Sequence, residues 1–324
     1  MKTAFIGGGN GFIGHHLARR LKNNGYFVRV VDIQKYQYGE NNYADEIVIG
    51  DLRDPEVCKK NLSINDKGFD EVYCLAADMG GAQYVFSGEH DADILSNSAL
   101  ININMATFCY LTKAKKIFYS SSACVYPQNL QQSPIAIKLK EEMAYPADPD
   151  SDYGFEKLFS EKLFMAWGRN YQLNIVIGRF HNIYGIEGTW YGGKEKAPAA
   201  VCRKVAKGTE FAENWGDGLQ TRSFLYIDDC IDAILAAMEW DINVPVNIGS
   251  EELITIHDLY QLAIDISGKD LYIKNIPMPE GCLGVWGRNS DNTMIEKITK
   301  WKPKYSLKEG LKITYEWINK QVNK

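Results

Sequence analysis

The sequence predicts an α/β fold with a doubly wound parallel sheet and a second, smaller α/β lobe. Short runs rich in β-branched residues alternate with segments of helical periodicity, and a glycine-rich turn joins the first run to the first helix. The predicted strands are residues 3–7, 27–32, 46–49, 70–76, 116–121 and 174–179, with crossover helices between them.

Three helices are clearest in the sequence. The first, residues 12–24, places Ile13, Leu17 and Leu21 on one face and ends at Gly25. The second, residues 153–171, follows a loop rich in proline and aspartate, and an amphipathic helix at residues 307–322 ends the pattern.

Beyond Arg179 the pattern changes to loop-rich stretches with short helices and one or two strands. We therefore predict a sheet domain at residues 1–180 and a lobe made mainly of residues 181–324, with some elements crossing between them.

The composition is that of an ordinary soluble globular protein. The 324 residues are 45% hydrophobic and 24% charged, and the formal net charge is −5. This length excludes a mini-protein, and the charge gives no reason to expect nucleic acid as the main partner.

The first residues, MKTAFIGGGNGFIG, contain too short an apolar run for a signal peptide. No later stretch approaches the roughly 18–20 apolar residues of a membrane span, so we expect no membrane partner and a cytoplasmic location. The seven cysteines show no metal or disulfide framework, and we expect each to be a reduced thiol: 58, 74, 109, 124, 202, 230 and 282.

The turn after the first strand reads GGNGFIG and carries Gly8, Gly11 and Gly14, with Phe12 and Ile13 opening the helix. Glycine lets the backbone turn tightly and approach a pyrophosphate, whose charge then lies at the positive end of the helix. A flexible turn is the alternative, but a strand before and a helix after favour a Rossmann-type dinucleotide site.

Two acids follow the next strands. Asp32 ends the second strand, where a carboxylate can bind the adenosine ribose and repel a 2′-phosphate, so NAD is expected rather than NADP. Asp51 follows the third strand and suits the adenine edge, although a helix N-cap explains it nearly as well.

A Ser/Tyr/Lys set is predicted at the carboxyl edge of the sheet. Tyr153 and Lys157 lie on one helical face, and the preceding strand ends at Ser120-Ser121-Ser122. A lysine cation and a positive nicotinamide bring the pKa of a phenol toward neutrality, so Tyr153 can act as a base while Ser122 holds the substrate oxygen. A surface pair beside a serine turn is the alternative.

Longer segments carry a family resemblance that covers nearly the whole chain. They are AADMGG at 76–81, SSACVYP at 121–127, GRFHNIYG at 178–185, GKEKAPAA at 193–200, WGDGLQTRSF at 215–224 and GRNSDN at 287–292. Together they resemble the GDP-mannose 3,5-epimerases, extended short-chain dehydrogenase/reductases of the NAD-dependent epimerase/dehydratase family.

The resemblance implies an isomerase with Cys124 and Lys196 as its acid/base pair. It implies a GDP-sugar substrate, with GDP-mannose converted to GDP-L-galactose or GDP-L-gulose, a tightly bound NAD recycled within each turnover, and a homodimer formed through helices of the cofactor domain. It places Ala76 at the cofactor, and it implies that the sugar nucleotide is lined by Gly81, Ser122, Ala123, Asn182, Glu195, Lys196, Lys204, Gln220, Thr221, Arg222 and Arg288.

The chemistry agrees with these residue types. Oxidation of the C4 hydroxyl makes the hydrogens at C3 and C5 acidic, and inversion then needs one group on each face of the ring. The pKa of a thiol falls when cations lie near it, which suits Cys124, and the guanidinium groups of Arg222 and Arg288 suit a diphosphate.

Less specific interpretations remain for several of these residues. Cys124 is also explained as a buried small residue, and Lys194 competes with Lys196 by position. His181 fits a structural hydrogen-bonding role better than that of a base.

Two segments, residues 82–90 and 280–288, depart from the family pattern, which leaves open a modified hexose or a heptose as the sugar. The rival enzymes are a sugar-nucleotide 4-epimerase and a 4,6-dehydratase, although a dehydratase usually needs an acidic pair where this chain has Ala123 and Cys124. The alternative function that involves no catalysis is that of an NAD-sensing Rossmann protein, and such proteins often lack the Tyr/Lys pair.

Overall fold

A computed structural model describes residues 1–39, 42–279 and 284–324 of the chain. Its first half contains β1 (Thr3–Gly7), α1 (Phe12–Asn23), β2 (Phe27–Asp32), β3 (Glu46–Ile49), α2 (Pro55–Asn61), β4 (Ser63–Ile64), β5 (Lys67–Gly68), β6 (Glu71–Cys74), α3 (Ala82–Phe86), α4 (Asp91–Thr112), β7 (Lys116–Ser122), β8 (Lys138–Leu139) and α5 (Asp152–Tyr171). Three 3-10 helices lie there too, Ala123–Val125, Gln128–Gln131 and Glu141–Ala144.

The second half contains β9 (Ile175–Phe180), β10 (Ile183–Tyr184), α6 (Ala197–Lys207), β11 (Phe211–Trp215), β12 (Thr221–Ser223), β13 (Leu225–Tyr226), α7 (Ile227–Met238), β14 (Val246–Ile248), β15 (Leu253–Thr255), α8 (Ile256–Ser267), β16 (Tyr272–Ile276), β17 (Gly287–Ser290), α9 (Thr293–Thr299) and α10 (Leu307–Val322).

Seven parallel strands form the central sheet in the order β14-β9-β7-β6-β1-β2-β3. The predicted fold class is confirmed, and all six predicted strands belong to this sheet. β1, β2 and β3 have the predicted bounds, and the ends of β6, β7 and β9 differ from the prediction by one or two residues. Asp70, for example, lies outside β6, and its carboxylate accepts hydrogen bonds from Thr3.

The three predicted helices are present with nearly the predicted ends. The first closes with Gly25 in the left-handed region, at a φ of +82°. The second begins one residue before the prediction, at Asp152, because the Ser151 side chain caps it by accepting a hydrogen bond from the Gly154 amide.

The expectation of one or two strands beyond Arg179 is wrong. The described residues contain β10 to β17 there, most of them only two or three residues long. Strands this short leave no visible alternation of apolar and polar residues, so the sequence pattern does not reveal them.

Elements cross between the two predicted regions in both directions. β14 lies beyond residue 180 and joins the central sheet beside β9. β8 lies before residue 180 and joins a second sheet, in the order β15-β12-β17-β8. The division into two functional lobes stays a prediction, but the two sheets share parts of the chain.

Alternating side chains of the central strands enter two apolar layers. Ile6 and Val30 lie in the layer beneath α1 and α7, which also continues into the second lobe. Phe5 and Val31 lie in the layer beneath α4 and α5. Burial of alternate residues on both faces is expected for a parallel sheet covered by helices.

One described helix, α4, is long and apolar enough to cross a membrane by length and composition, with a mean hydropathy of 1.2. It lies against α5, where the buried amide of Asn102 donates hydrogen bonds to Glu156 and Ser160. These hydrogen bonds join α4 to a second helix of the same domain.

A buried ion pair links α5 to β9. The guanidinium of Arg179 donates to both carboxylate oxygens of Glu161, at 2.9 and 2.8 Å, and both side chains are almost fully buried. The same guanidinium donates to the Glu141 carbonyl at 2.7 Å. These contacts fix the carboxyl end of β9 to the helix that follows β7.

We predict that Arg179→Met lowers the free energy of unfolding by about 3–5 kcal/mol, because the Glu161 charge stays buried without a partner. The measurement is urea denaturation. As a control, Lys59→Met removes the exposed pair with Glu56 and should cost less than about 1 kcal/mol. Equal losses in the two variants would contradict this account.

Candidate active site

The glycine turn between β1 and α1 is pressed against the backbone around it. Gly8 has a φ of +80°, and a Cβ there would lie 2.7 Å from the Ala76 nitrogen. A Cβ on Gly14 would lie 2.2 Å from the Gly8 oxygen. Gly11 precedes the helix, and its first turn, opened by Phe12 and Ile13, contains no acid. This geometry fits a pyrophosphate at the helix end.

Asp32 lies beside this turn at the end of β2. Its carboxylate accepts hydrogen bonds from the amides of Asn10, at 2.9 Å, and Gln34, at 3.0 Å. Burial raises the pKa of the Asp32 carboxyl, and these backbone amides oppose that rise. The carboxylate thus fixes the glycine turn from the position predicted to bind a ribose.

Asp51 accepts a bidentate hydrogen bond from the Arg53 guanidinium, which lowers the pKa of the Asp51 carboxyl. The alternative of a helix N-cap at Asp51 is wrong, because Asp54 caps α2 by accepting from the Glu56 amide.

Ser122, Tyr153 and Lys157 meet at the carboxyl end of β7. The Lys157 ammonium donates to the Ser120 carbonyl at 2.9 Å and lies 5.6 Å from the centre of the Tyr153 ring. Burial raises the pKa of Tyr153, and the Ser122 hydroxyl opposes that rise. The predicted fall in this pKa also depends on a positive nicotinamide beside the phenol, so it stays a prediction.

Cys124 lies in the 3-10 helix that follows β7, behind the buried Ala123. Its backbone amide donates to the Ser122 hydroxyl at 3.2 Å, and Arg288 donates to its sulfur at 3.4 Å. Burial raises the pKa of the Cys124 thiol, and the charge of Asp150 acts in the same direction. The predicted fall in the pKa of this thiol is thus wrong for the protein alone, although Arg288 does oppose the rise.

Lys196 immediately precedes α6 and reaches the same site from the second lobe. Its ammonium donates to the Gly80 carbonyl at 3.2 Å. Burial lowers the pKa of Lys196, and the charge of Cys124 opposes that fall. The competing residue Lys194 points elsewhere, with its ammonium 3.8 Å from the centre of the Tyr84 ring.

Arg288 is held by three protein side chains. It donates to Asp150, to the Gln131 side chain at 2.5 Å and to Cys124. These bonds use three of the five N–H groups of the guanidinium, so its expected role at a diphosphate stays a prediction. Asp150 and Gln131 were not identified from the sequence, because only the fold brings their loops to β17.

Arg222 is half-buried beside Arg288, and its described hydrogen bonds go only to backbone carbonyls, those of Thr221, Val285 and Trp286. Burial and the Arg288 charge lower the pKa of Arg222 to about 9. A partly desolvated cation without an acidic hydrogen-bond partner among the described residues favours an anionic ligand at this place.

Most of the remaining predicted ligands are held by backbone groups. Asn182 donates to Ser223, Lys204 to Glu213 and Thr221 to Pro134, at 2.9, 2.8 and 2.6 Å. Gln220 is buried, and Glu195 accepts from Gly193 and Arg203. No described hydrogen bond joins these side chains to Cys124, so their place at a substrate stays a prediction.

Gly81 and Gly154 are close-approach points. A Cβ on Gly81 would lie 2.5 Å from the Glu195 oxygen, and one on Gly154 would lie 2.2 Å from the Cys124 oxygen. The second glycine was not identified from the sequence, although it lies between Tyr153 and Lys157. It lets α5 touch the backbone of the candidate catalytic cysteine.

His181 and the cysteines outside the site match the expectations stated for them. The His181 ring contacts Asn247 at 2.9 Å, and burial lowers its pKa to about 3, so it is a neutral structural residue. Among the described cysteines, those outside the site are buried free thiols. Cys282 lies outside the described residues, as does part of the departing segment 280–288.

Residues 4–249 match the NAD dependent epimerase/dehydratase family. The chain is 44% identical over 320 residues to GDP-mannose 3,5-epimerase of Arabidopsis thaliana, covering 98% of this chain and 82% of that protein. Its structure is similar to that of UDP-glucose 4-epimerase with UDP-glucose from Thermotoga maritima, with a TM-score of 0.87, 28% identity and 99% of both chains covered. UDP-glucuronic acid 4-epimerase from Bacillus cereus, in complex with UDP-glucuronic acid and NAD, gives a TM-score of 0.80 at 25% identity, covering 98% of this chain and 99% of that one.

We predict that Gly154→Ala lowers the free energy of unfolding by about 1–3 kcal/mol, because its methyl group overlaps the Cys124 carbonyl. In an open helix the same change usually stabilises by up to about 1 kcal/mol. Gly168→Ala is the matched control in the same helix, since its Cβ would meet nothing closer than 3.3 Å. Urea denaturation of both variants measures the difference, and a larger loss in Gly168→Ala would contradict the contact.

Proposed function

The chain belongs to the NAD dependent epimerase/dehydratase family, and from this premise we propose that it inverts GDP-mannose at C3 and C5 through a 4-keto intermediate. The expected products are GDP-L-galactose and GDP-L-gulose. One observation carries the proposal: the half-buried Cys124 and Lys196 side chains share a site with Ser122 and Tyr153, near enough for the charge of each to shift the pKa of the other.

The glycine turn and Asp32 would hold NAD, which supplies the oxidation of the C4 hydroxyl and its later reversal. Tyr153 accepts the hydroxyl proton and returns it, while Ser122 fixes the oxygen. Lys157 stays charged beside the phenol and favours its ionised form, so the proton of Tyr153 becomes easier to remove once a second cation lies near.

Burial shifts the pKa values of the two epimerising groups in opposite directions, upward for Cys124 and downward for Lys196. Both shifts favour the uncharged forms, a thiol and an amine. In the proposal Cys124 removes the proton from one face of the sugar, helped by the charges of Arg288 and Lys196, which oppose the rise in its pKa, and Lys196 returns a proton to the other face.

The diphosphate of the substrate would give the half-buried Arg222 the anionic partner that its hydrogen bonds to backbone carbonyls do not supply among the described residues. An anion there also relieves the repulsion between Arg222 and Arg288. This supports a nucleoside diphosphate as the activating group of the sugar.

The alternatives lead to different chemistry in the same cleft. A 4-epimerase needs no acid/base pair for carbon, and a 4,6-dehydratase usually needs an acidic pair where this chain has Ala123 and Cys124. A modified hexose or heptose on the same nucleotide fits as well as mannose does. Tyr153 and Lys157 argue against a sensor without catalysis. Tight retention of NAD and a cytoplasmic location stay predictions.

The test is turnover of GDP-mannose in heavy water, with the products identified by NMR. The wild-type protein should incorporate deuterium at C3 and C5, whereas a 4-epimerase incorporates none. Cys124→Ala should keep its NAD content and lose exchange at both carbons. Lys196→Ala should stop net inversion while exchange on the cysteine side persists.

Cys58→Ala is the control, because it removes a buried cysteine outside the site. Full exchange in Cys124→Ala would refute its acid/base role. Undiminished activity after the dinucleotide is stripped from the protein would refute the whole scheme.

We further propose a homodimer formed through α4 and α5. Leu100 and Ile103 on α4, and Phe155 and Phe159 on α5, are large apolar side chains exposed to solvent in the single chain. The two helices lie side by side on the sheet, so these side chains offer an apolar surface that a second copy can cover.

We predict that light scattering gives the mass of two chains, and that replacing Leu100 and Phe159 together by glutamate gives the mass of one. The charges would be buried at the interface, which opposes association. Ile313→Glu is the control, since Ile313 is an exposed apolar residue on α10. A dimer that survives the double replacement would place the interface elsewhere.

A further inference from the structure

The segment that carries Lys196 into the site is held by the segment that departs from the family pattern, residues 82–90, together with the two glycines before it. The Gly80 carbonyl accepts from the Lys196 ammonium at 3.2 Å. Gly81 touches the Glu195 backbone so closely that a Cβ would lie 2.5 Å from its oxygen. A third contact lies just beside these two.

That contact is a cation–π interaction. The ammonium of Lys194 lies 3.8 Å from the centre of the Tyr84 ring, within the range for a strong interaction. Lys194 is exposed, so this contact is not a consequence of core packing. The Tyr84 ring is the fixed partner of the pair.

Tyr84 is held on two further sides. Its hydroxyl donates to the Asp78 carboxylate at 2.8 Å, and Asp78 in turn accepts from Asn97 of α4 at 2.8 Å. The ring also stacks on His90, with 4.2 Å between ring centres and 19° between planes. The aromatic ring is therefore anchored to α4, which packs on the central sheet.

The catalytic cycle makes this anchor necessary. Lys196 must lose and regain its proton during inversion, and a neutral amine is a weaker donor to the Gly80 carbonyl than an ammonium. Its own hydrogen bond therefore weakens at the moment when its position matters most. Lys194 takes no part in the proposed proton transfer, so its contact with Tyr84 persists throughout the cycle.

We propose that Tyr84 is a positioning residue for Lys196, which it holds in place through the cation–π contact with Lys194. The inference rests on the proposed function, because it assigns Lys196 a change of charge during turnover. It also gives a role to a segment in which this chain differs from its family.

Loss of the contact should impair proton transfer by Lys196 on its face of the sugar ring and leave proton transfer by Cys124 on the other face intact. We expect Tyr84→Leu and Lys194→Met each to lower the rate of inversion roughly 2- to 5-fold, the range of an exposed cation–π contact expressed as a rate. Exchange of deuterium into uninverted GDP-mannose should continue, so the ratio of exchange to inversion rises. A purely structural defect would lower both rates together.

Tyr84→Phe keeps the ring and should keep the wild-type ratio, although it loses the bond to Asp78. The double variant with Tyr84→Leu and Lys194→Met should be no worse than either single variant, since both remove one interaction. Tyr272→Leu, an exposed tyrosine on β16, is the control and should behave as wild type. An unchanged ratio in Tyr84→Leu and Lys194→Met would overturn the inference.

A second measurement needs no substrate. Amide hydrogen exchange of residues 192–196 should be faster in Tyr84→Leu and Lys194→Met than in the wild-type protein and in Tyr84→Phe. Unchanged exchange in both variants overturns the inference even if GDP-mannose is not the substrate. If the wild-type protein incorporates no deuterium while these amides do respond, the proposed function fails and the positioning contact stands.

Discussion

The relative placement of the two sheets depends on the buried side-chain amide of Asn247. Its nitrogen donates to the carbonyls of Leu139 and Asp291 at 2.7 and 3.1 Å, and its oxygen accepts from Tyr126 at 2.6 Å and contacts the His181 ring. Asn247 belongs to the central sheet, whereas Leu139 belongs to the second one. Arg288 lies on β17 of the second sheet, and Cys124 follows β7 of the central sheet. The hydrogen bonds of Asn247 therefore set the distance between these two residues of the candidate site.

Burial explains the electrostatics of the site better than pairs of opposite charges do. It raises the pKa values of Cys124 and Tyr153 and lowers those of Lys157 and Lys196, so each group is moved toward its uncharged form. A proton then moves between groups without separating strong charges in a medium of low dielectric constant.

The sequence was sufficient for features that depend on local spacing. The central strands, the glycine turn and the Tyr153–Lys157 pair follow from patterns within about twenty residues of one another. Contacts between distant segments could not be predicted from the sequence. No local pattern connects Asp150 to Arg288, or Gly154 to the Cys124 carbonyl. Most strands of the second lobe were not predicted because they are too short to show a period of alternating residues. The directions of the pKa shifts were not predicted because they depend on burial, which the sequence does not show.

The two backbone bonds of Asp32 bear on any attempt to redesign the cofactor preference. The carboxylate predicted to select NAD also accepts hydrogen bonds from the amides of Asn10 and Gln34, so the glycine turn is organised before a ligand binds. Replacing this acid to admit a 2′-phosphate would loosen the turn as well as remove the repulsion. A switch toward NADP in this protein therefore needs a substitute that still accepts both amides.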